Sequence, residues 1–142
     1  MGLRLPVGGV TVLLGPPAER AAVLAALDPG SARCADGHGA LTVLRVSAAA
    51  GDDVPARLGA VEDALAQAAP VVLVDRLTDG LRAPDRRRVL AALRPVAAAG
   101  SAVLVDDDDP VAALGTADSA LRTGTLAVEQ VPDPRLLELL AS

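Results

Sequence analysis

Four valine-rich apolar runs recur along the chain: GVTVLL at 9–14, ALTVLRV at 40–46, PVVLVD at 70–75 and SAVLVD at 101–106. They constrain the fold more than any other feature. Each is apolar at consecutive rather than alternate positions, which predicts strands buried on both faces, as in a parallel sheet. Parallel neighbours cannot be joined by a tight turn and need a crossover of a dozen or more residues. The intervening stretches supply it: PAERAAVLAALD at 17–28, VPARLGAVEDALAQAA at 54–69 and PDRRRVLAALRPVAAAG at 84–100 place apolar residues at helical spacing. Strand and helix alternate, so the expected architecture is a three-layer α/β domain of right-handed βαβ units around a mostly parallel sheet of about five strands.

Local punctuation agrees with these elements. Pro84 and Asp85 suit a helix first turn, and Gly100 closes that helix before the next strand. Asp109 followed by Pro110 reads as an N-cap and first helical position. A terminal hairpin is expected over 120–129, turning at Thr123 and Gly124. The segment 133–141 carries Leu136, Leu137, Leu139 and Leu140, an apolar stripe expected to pack on the chain's own sheet, with docking into a partner's groove as the alternative. At 142 residues and with no internal repeat, residues 1–142 are expected to form a single domain.

Composition narrows the function classes. Half the residues are apolar (51%), yet there is no Phe, Tyr or Trp, so the core must be aliphatic and no base-stacking platform exists. The net charge is −5 and the largest basic cluster is Arg86, Arg87 and Arg88, which argues against a nucleic-acid partner. Lys, Ile and Asn are also missing, a bias of GC-rich bacterial coding sequence. The single cysteine, Cys34, cannot form an internal disulfide and lacks zinc-type spacing, so a cytoplasmic location is expected. No apolar run approaches the roughly 18 residues of a membrane helix; direct membrane insertion is not expected, and any membrane association would run through a partner.

GVTVLLGPPAERAAVLAAL resembles the opening of ATP-binding cassette (ABC) ATPases, in which a strand enters a GPxGxGK[ST] loop and then a helix. The resemblance is more specific in PVVLVDRLTDGLRAPDRRRVLAALRPVAAAGSAVLVDDDDPVAALGTADSALRTGTLAVE, which follows that family's Walker B strand, D-loop, helix, switch strand and closing hairpin. Together the two blocks span roughly 9–28 and 70–129. The resemblance implies the P-loop NTPase fold and a nucleotide site. At that site Gly15 and Pro16 match the loop, but Ala18 and Arg20 stand at its later glycines, and Ala21 and Ala22 at its lysine and hydroxyl. Asp75 matches the magnesium-facing aspartate. Arg76 takes the place of the catalytic glutamate, Arg82 that of the D-loop aspartate, and Asp107 that of the switch histidine. About 60 positions separate Gly15 from Asp75, room for one crossover; the family's helical subdomain and its LSGGQ-type signature are absent, and DDVPARLGAVEDAL fills their place.

The resemblance therefore implies a shortened, catalytically inactive ABC-ATPase-like domain that acts through protein contacts: with itself, with an intact ABC ATPase or with a membrane permease. No cofactor is expected in that reading, and Gly15, Pro16, Arg20, Asp75 and Asp107 are remnants of a nucleotide site. One alternative is a residual nucleotide binder or slow ATPase in which Asp75 holds magnesium of Mg-ATP and Arg20 or Arg76 neutralises phosphate. Another is a metal-dependent phosphoryl-transfer enzyme using Asp75, Asp106 and Asp107, since hard cations take several carboxylate oxygens. Against these stand blander readings: Arg20 as a solvated helix-face arginine, Arg86 to Arg88 as a solvated helix start pairing with Asp85, and His38, near Cys34, as a surface-loop histidine.

Overall fold

The structure, a computed structural model, describes residues 5–27, 42–126 and 128–131. His38, Cys34 and the leucine stripe of 133–141 lie outside these residues. Among the described residues six strands form one sheet: β1 (Val10–Leu14), β2 (Val43–Ser47), β3 (Val71–Asp75), β4 (Ala102–Asp106), β5 (Ser119–Arg122) and β6 (Val128–Gln130). Their order is β2-β3-β4-β1-β5-β6. The first five run parallel, and β6 pairs antiparallel with β5. The valine runs form the centre of a parallel sheet as their continuous apolarity requires. The sixth strand is the return arm of the expected hairpin.

The helices are α1 (Pro17–Ala26), α2 (Val54–Gln67), α3 (Ala83–Ala91), α4 (Leu93–Ala98) and α5 (Pro110–Leu114). The starts of α2 and α5 follow from capping chemistry. The Asp53 carboxylate accepts from the Ala56 N–H at 2.9 Å, and the Asp109 carboxylate from the Ala112 N–H at 3.1 Å, each with a proline just inside the helix. The helix expected over 84–100 is in fact two, α3 and α4, parted at Ala92. Pro95 explains the break: it has no N–H to give to the carbonyl of Ala91, and its ring crowds that carbonyl.

Strand alternation sorts the core into two layers. Val10, Val12, Val72, Val74, Val103 and Val105 face one side with Leu77, Leu90 and Leu93. That side is covered by α2, α3, α4 and α5, which touch one another and the strands. Leu13, Val71, Leu73, Leu104 and Leu121 face the other side with Leu24 of α1, the one helix packed there among the described residues. β2 and β3 are linked by α2 alone among the described residues. No helix of the described residues is long and apolar enough to cross a membrane.

Leu104 lies at the middle of β4 and is fully buried. Leu104→Ala deletes methyl groups beneath α1 and leaves a void, so it lowers unfolding free energy by about 3 kcal/mol. Urea denaturation checks this as a shifted midpoint with an unchanged slope.

Candidate functional site

The carboxyl ends of β1, β3 and β4 lie together, the end of an open α/β sheet where ligands are ordinarily received. Register decides what meets there. Asp75 and Asp106 are direct partners across β3 and β4. Two-residue alternation puts their side chains on the same face as Leu73 and Leu104, the side of α1. Asp107, one residue on, faces the opposite layer.

The link from β1 to α1 consists of Gly15 and Pro16 only, because α1 already starts at Pro17. Pro16 and Pro17 carry no N–H, and the Arg20 N–H is spent on the Pro16 carbonyl at 3.1 Å. Ala18 and Glu19 are thus the remaining amides of the first turn, beside the acidic Glu19 side chain. Gly15 has φ +145°, and a methyl group added to it would lie 2.1 Å from Thr123 Oγ1. The Thr123 N–H donates to the Leu14 carbonyl at 2.9 Å, so the start of the β5–β6 turn closes over Gly15.

Arginines from four elements converge on this end. Arg20 of α1 is 6% exposed; its Nη1 donates to the Asp107 carbonyl and lies 3.3 Å from Asp106 Oδ1. Its buried Nε has no hydrogen-bond partner among the described residues. Arg45 of β2 places Nη1 3.1 Å from Asp75 Oδ2 and donates through Nη2 to the Leu24 carbonyl at 2.9 Å, near the negative end of the α1 dipole. Arg57 of α2 donates to the carbonyls of Asp52 at 2.9 Å, Leu77 at 3.0 Å and Asp79 at 2.6 Å. Arg86 of α3 reaches Asp107 Oδ2 at 2.9 Å and Thr78 Oγ1 at 3.1 Å.

Asp107 is the centre of the second group. Its side chain is 1% exposed; Oδ1 accepts from the Thr78 hydroxyl, and Oδ2 accepts from Arg86 and from the Asp109 N–H at 2.9 Å. It joins the end of β4, the β3–α3 turn and the start of α5. Two expectations are corrected here. Arg20 is not a solvated helix-face residue, because from the fourth residue of α1 it points at the sheet and finds Asp106. Arg86 is not a solvated partner of Asp85, because it lies under the β3–α3 turn against Asp107, with its side chain 11% exposed.

The remaining site candidates do not share one centre. Asp75 is engaged by Arg45, and Asp107 turns to the opposite layer, so Asp75, Asp106 and Asp107 do not converge. Among the described residues no three His, Cys, Asp or Glu side chains form a set for a metal ion. Arg76 has φ +54°; its N–H donates to the Asp106 carbonyl at 2.9 Å, while its guanidinium points outward and pairs with Asp79 at 2.8 Å. Beside it a shallow cleft of about 440 Å³ is lined by Ser47, Ala48, Ala50, Arg57, Asp75 and Arg76, among others.

Burial pushes the Asp106 carboxyl above its ordinary 3.8. The neighbouring Arg20 opposes this, Asp75 adds to it, Arg76 opposes it, and Asp107 adds to it. Ionising Asp106 therefore costs stability in the folded state.

Sequence reasoning missed Arg45, Arg57 and Thr78. For Arg45 a signal was present: a charge inside the apolar run ALTVLRV needs a partner within reach. Arg57 and Thr78 carry no such mark.

No protein-family model matches the chain, and no curated protein matches it in sequence. Solved structures do resemble it. A nucleotide-free ATP-binding cassette from an ABC transporter superposes with TM-score 0.67 at 11% identity, covering 96% of this chain and 89% of the other. An ABC-transporter cassette in its ADP conformation gives 0.60 at 10% identity, covering 97% and 89%. The protein cbiO1 from Clostridium perfringens, part of the ABC transporter complex cbiONQ, gives 0.55 at 15% identity, covering 100% and 83%. These likenesses establish the fold, the P-loop type expected from the sequence.

Asp107→Ala leaves Arg86 and Thr78 buried without their acceptor and lowers unfolding free energy by about 3 kcal/mol or more, as urea titration will register. Asp106→Asn behaves differently with pH. Wild-type Asp106 is protonated in both folded and unfolded states below the ordinary value of 3.8. As pH rises from there to the raised folded-state value, the wild type loses stability that the amide cannot lose. The variant's urea midpoint relative to wild type therefore climbs from pH 3.5 upward and levels off once folded Asp106 is ionised.

Proposed function

We propose that this chain, which has the fold of an ABC-transporter ATP-binding cassette, is a pseudo-ATPase: a catalytically inactive accessory, regulatory or scaffolding domain that works through protein contacts. One observation carries the reading. The end of the sheet that would receive Mg-ATP carries arginines paired to the chain's own carboxylates, with Ala21 and Ala22 at the lysine and hydroxyl positions and Arg76 at that of the catalytic acid.

In this reading the residues do not fit Mg-ATP. A phosphate cradle needs a loop of free amides opening onto a helix N-terminus. Pro16 belongs to the loop pattern, but Pro17 removes a further amide, the Arg20 N–H is spent on the Pro16 carbonyl, and Thr123 fills the space beside Gly15. A water-activating base at the position of Arg76 is replaced by a permanent cation, and that guanidinium faces solvent toward Asp79. Asp75 already has a countercharge in Arg45. Gly15, Pro16, Arg20, Asp75 and Asp107 then serve the scaffold. The partner is a second copy, an intact ABC ATPase or a membrane permease, in keeping with cassettes of this fold that belong to transporter complexes, and the domain is cytoplasmic, at the membrane only through that partner.

Isothermal titration with Mg-ATP tests the loss of nucleotide binding. No heat of binding is expected up to millimolar nucleotide. Micromolar binding that disappears in Asp75→Ala would replace this reading by the residual nucleotide binder. Metal-dependent release of phosphate from a phosphomonoester would favour the phosphoryl-transfer alternative.

A further inference from the structure

We propose that Arg20 and Arg45 occupy, as built-in counterions, the electrostatic position that a divalent cation would take between Asp75 and Asp106. The two carboxylates are register partners on adjacent strands and share one face of the sheet. Side by side at the end of a buried sheet, they raise each other's electrostatic energy and need positive charge close by. Two side chains deliver it from two different elements, Arg20 at 3.3 Å from Asp106 and Arg45 at 3.1 Å from Asp75.

The manner of contact supports a role as charge. Where arginine serves as a hydrogen-bonding fork, its donors are matched in parallel to acceptors. Arg20 reaches both Asp106 and the Asp107 carbonyl through one nitrogen, Nη1, and among the described residues its buried Nε has no hydrogen-bond partner. Arg45 gives one nitrogen to Asp75 and the other to the Leu24 carbonyl, so the same charge also serves the carboxyl end of α1. A hard divalent cation asks for carboxylate oxygens from more than one side chain, and Asp75 with Asp106 are such a pair once the arginines are removed.

The test removes the arginines and supplies metal. Thermal unfolding of wild type, Arg45→Met and Arg20→Met/Arg45→Met is followed by circular dichroism at pH 7.5 in EDTA and in increasing magnesium or manganese chloride. The wild-type midpoint should be independent of metal. The double variant should unfold earlier in EDTA and recover about 4 °C at a metal concentration tenfold above its dissociation constant. Adding Asp75→Asn should abolish the recovery. Should the double variant not fold in EDTA, metal-dependent folding is the same positive result, and Arg45→Met, altered at a half-exposed side chain, should still show a smaller metal-dependent rise. Flat midpoints in both variants, or an equal rise in the wild type, overturn the proposal. Neither outcome bears on the Mg-ATP titration, so the two readings fail separately.

Discussion

Two carboxylates placed side by side by strand register organise this end of the molecule. The parallel pairing of β3 with β4 sets Asp75 opposite Asp106, with Asp106 buried and Asp75 partly exposed. Desolvating an ion costs several kcal/mol unless a partner offsets it. The positions of Arg20 and Arg45 follow from that demand, and with them the seat of α1, whose Leu24 lies against the sheet between the two contacts. The raised carboxyl of Asp106 marks where the compensation is incomplete.

The opposite layer solves a related problem with a denser network. Asp107 is almost wholly buried yet satisfied by a hydroxyl, a guanidinium and a backbone amide. Such a group specifies one arrangement of β4, the β3–α3 turn and α5, because any shift strands a buried polar atom. Arg57 does the same for the start of α2 by holding three carbonyls. The loops that follow the strands, ordinarily the mobile and functional parts of such a fold, are here tied to the chain's own side chains.

Much of the architecture was legible from the order of residues. Consecutive valines implied a doubly covered parallel sheet, and Asp109 with Pro110 marked the start of α5. The break between α3 and α4 was legible as well, had Pro95 been weighed against the apolar spacing around it. The candidate site was legible as a set of residue types: Ala18, Arg20, Arg76 and Asp107 stand out against the ABC-ATPase pattern. Their contacts were not, because a helix position such as Arg20 looks solvated until the sheet it faces is known. Arg45 is thirty positions from Asp75 in sequence and reaches it only through strand pairing.

The sequence by itself determined the βαβ order, the strand and helix chemistry, and the identity of the residues at the ends of the strands, because periodicity and capping are local properties. Tertiary structure decided which of those residues meet. Register put Asp75 beside Asp106, two-residue alternation sent Asp107 to the other layer, and the packing of α1 and α3 turned Arg20 and Arg86 inward. Each of these depends on long-range pairing between strands and helices, and electrostatic partnership acts through space, over distances that sequence separation does not encode.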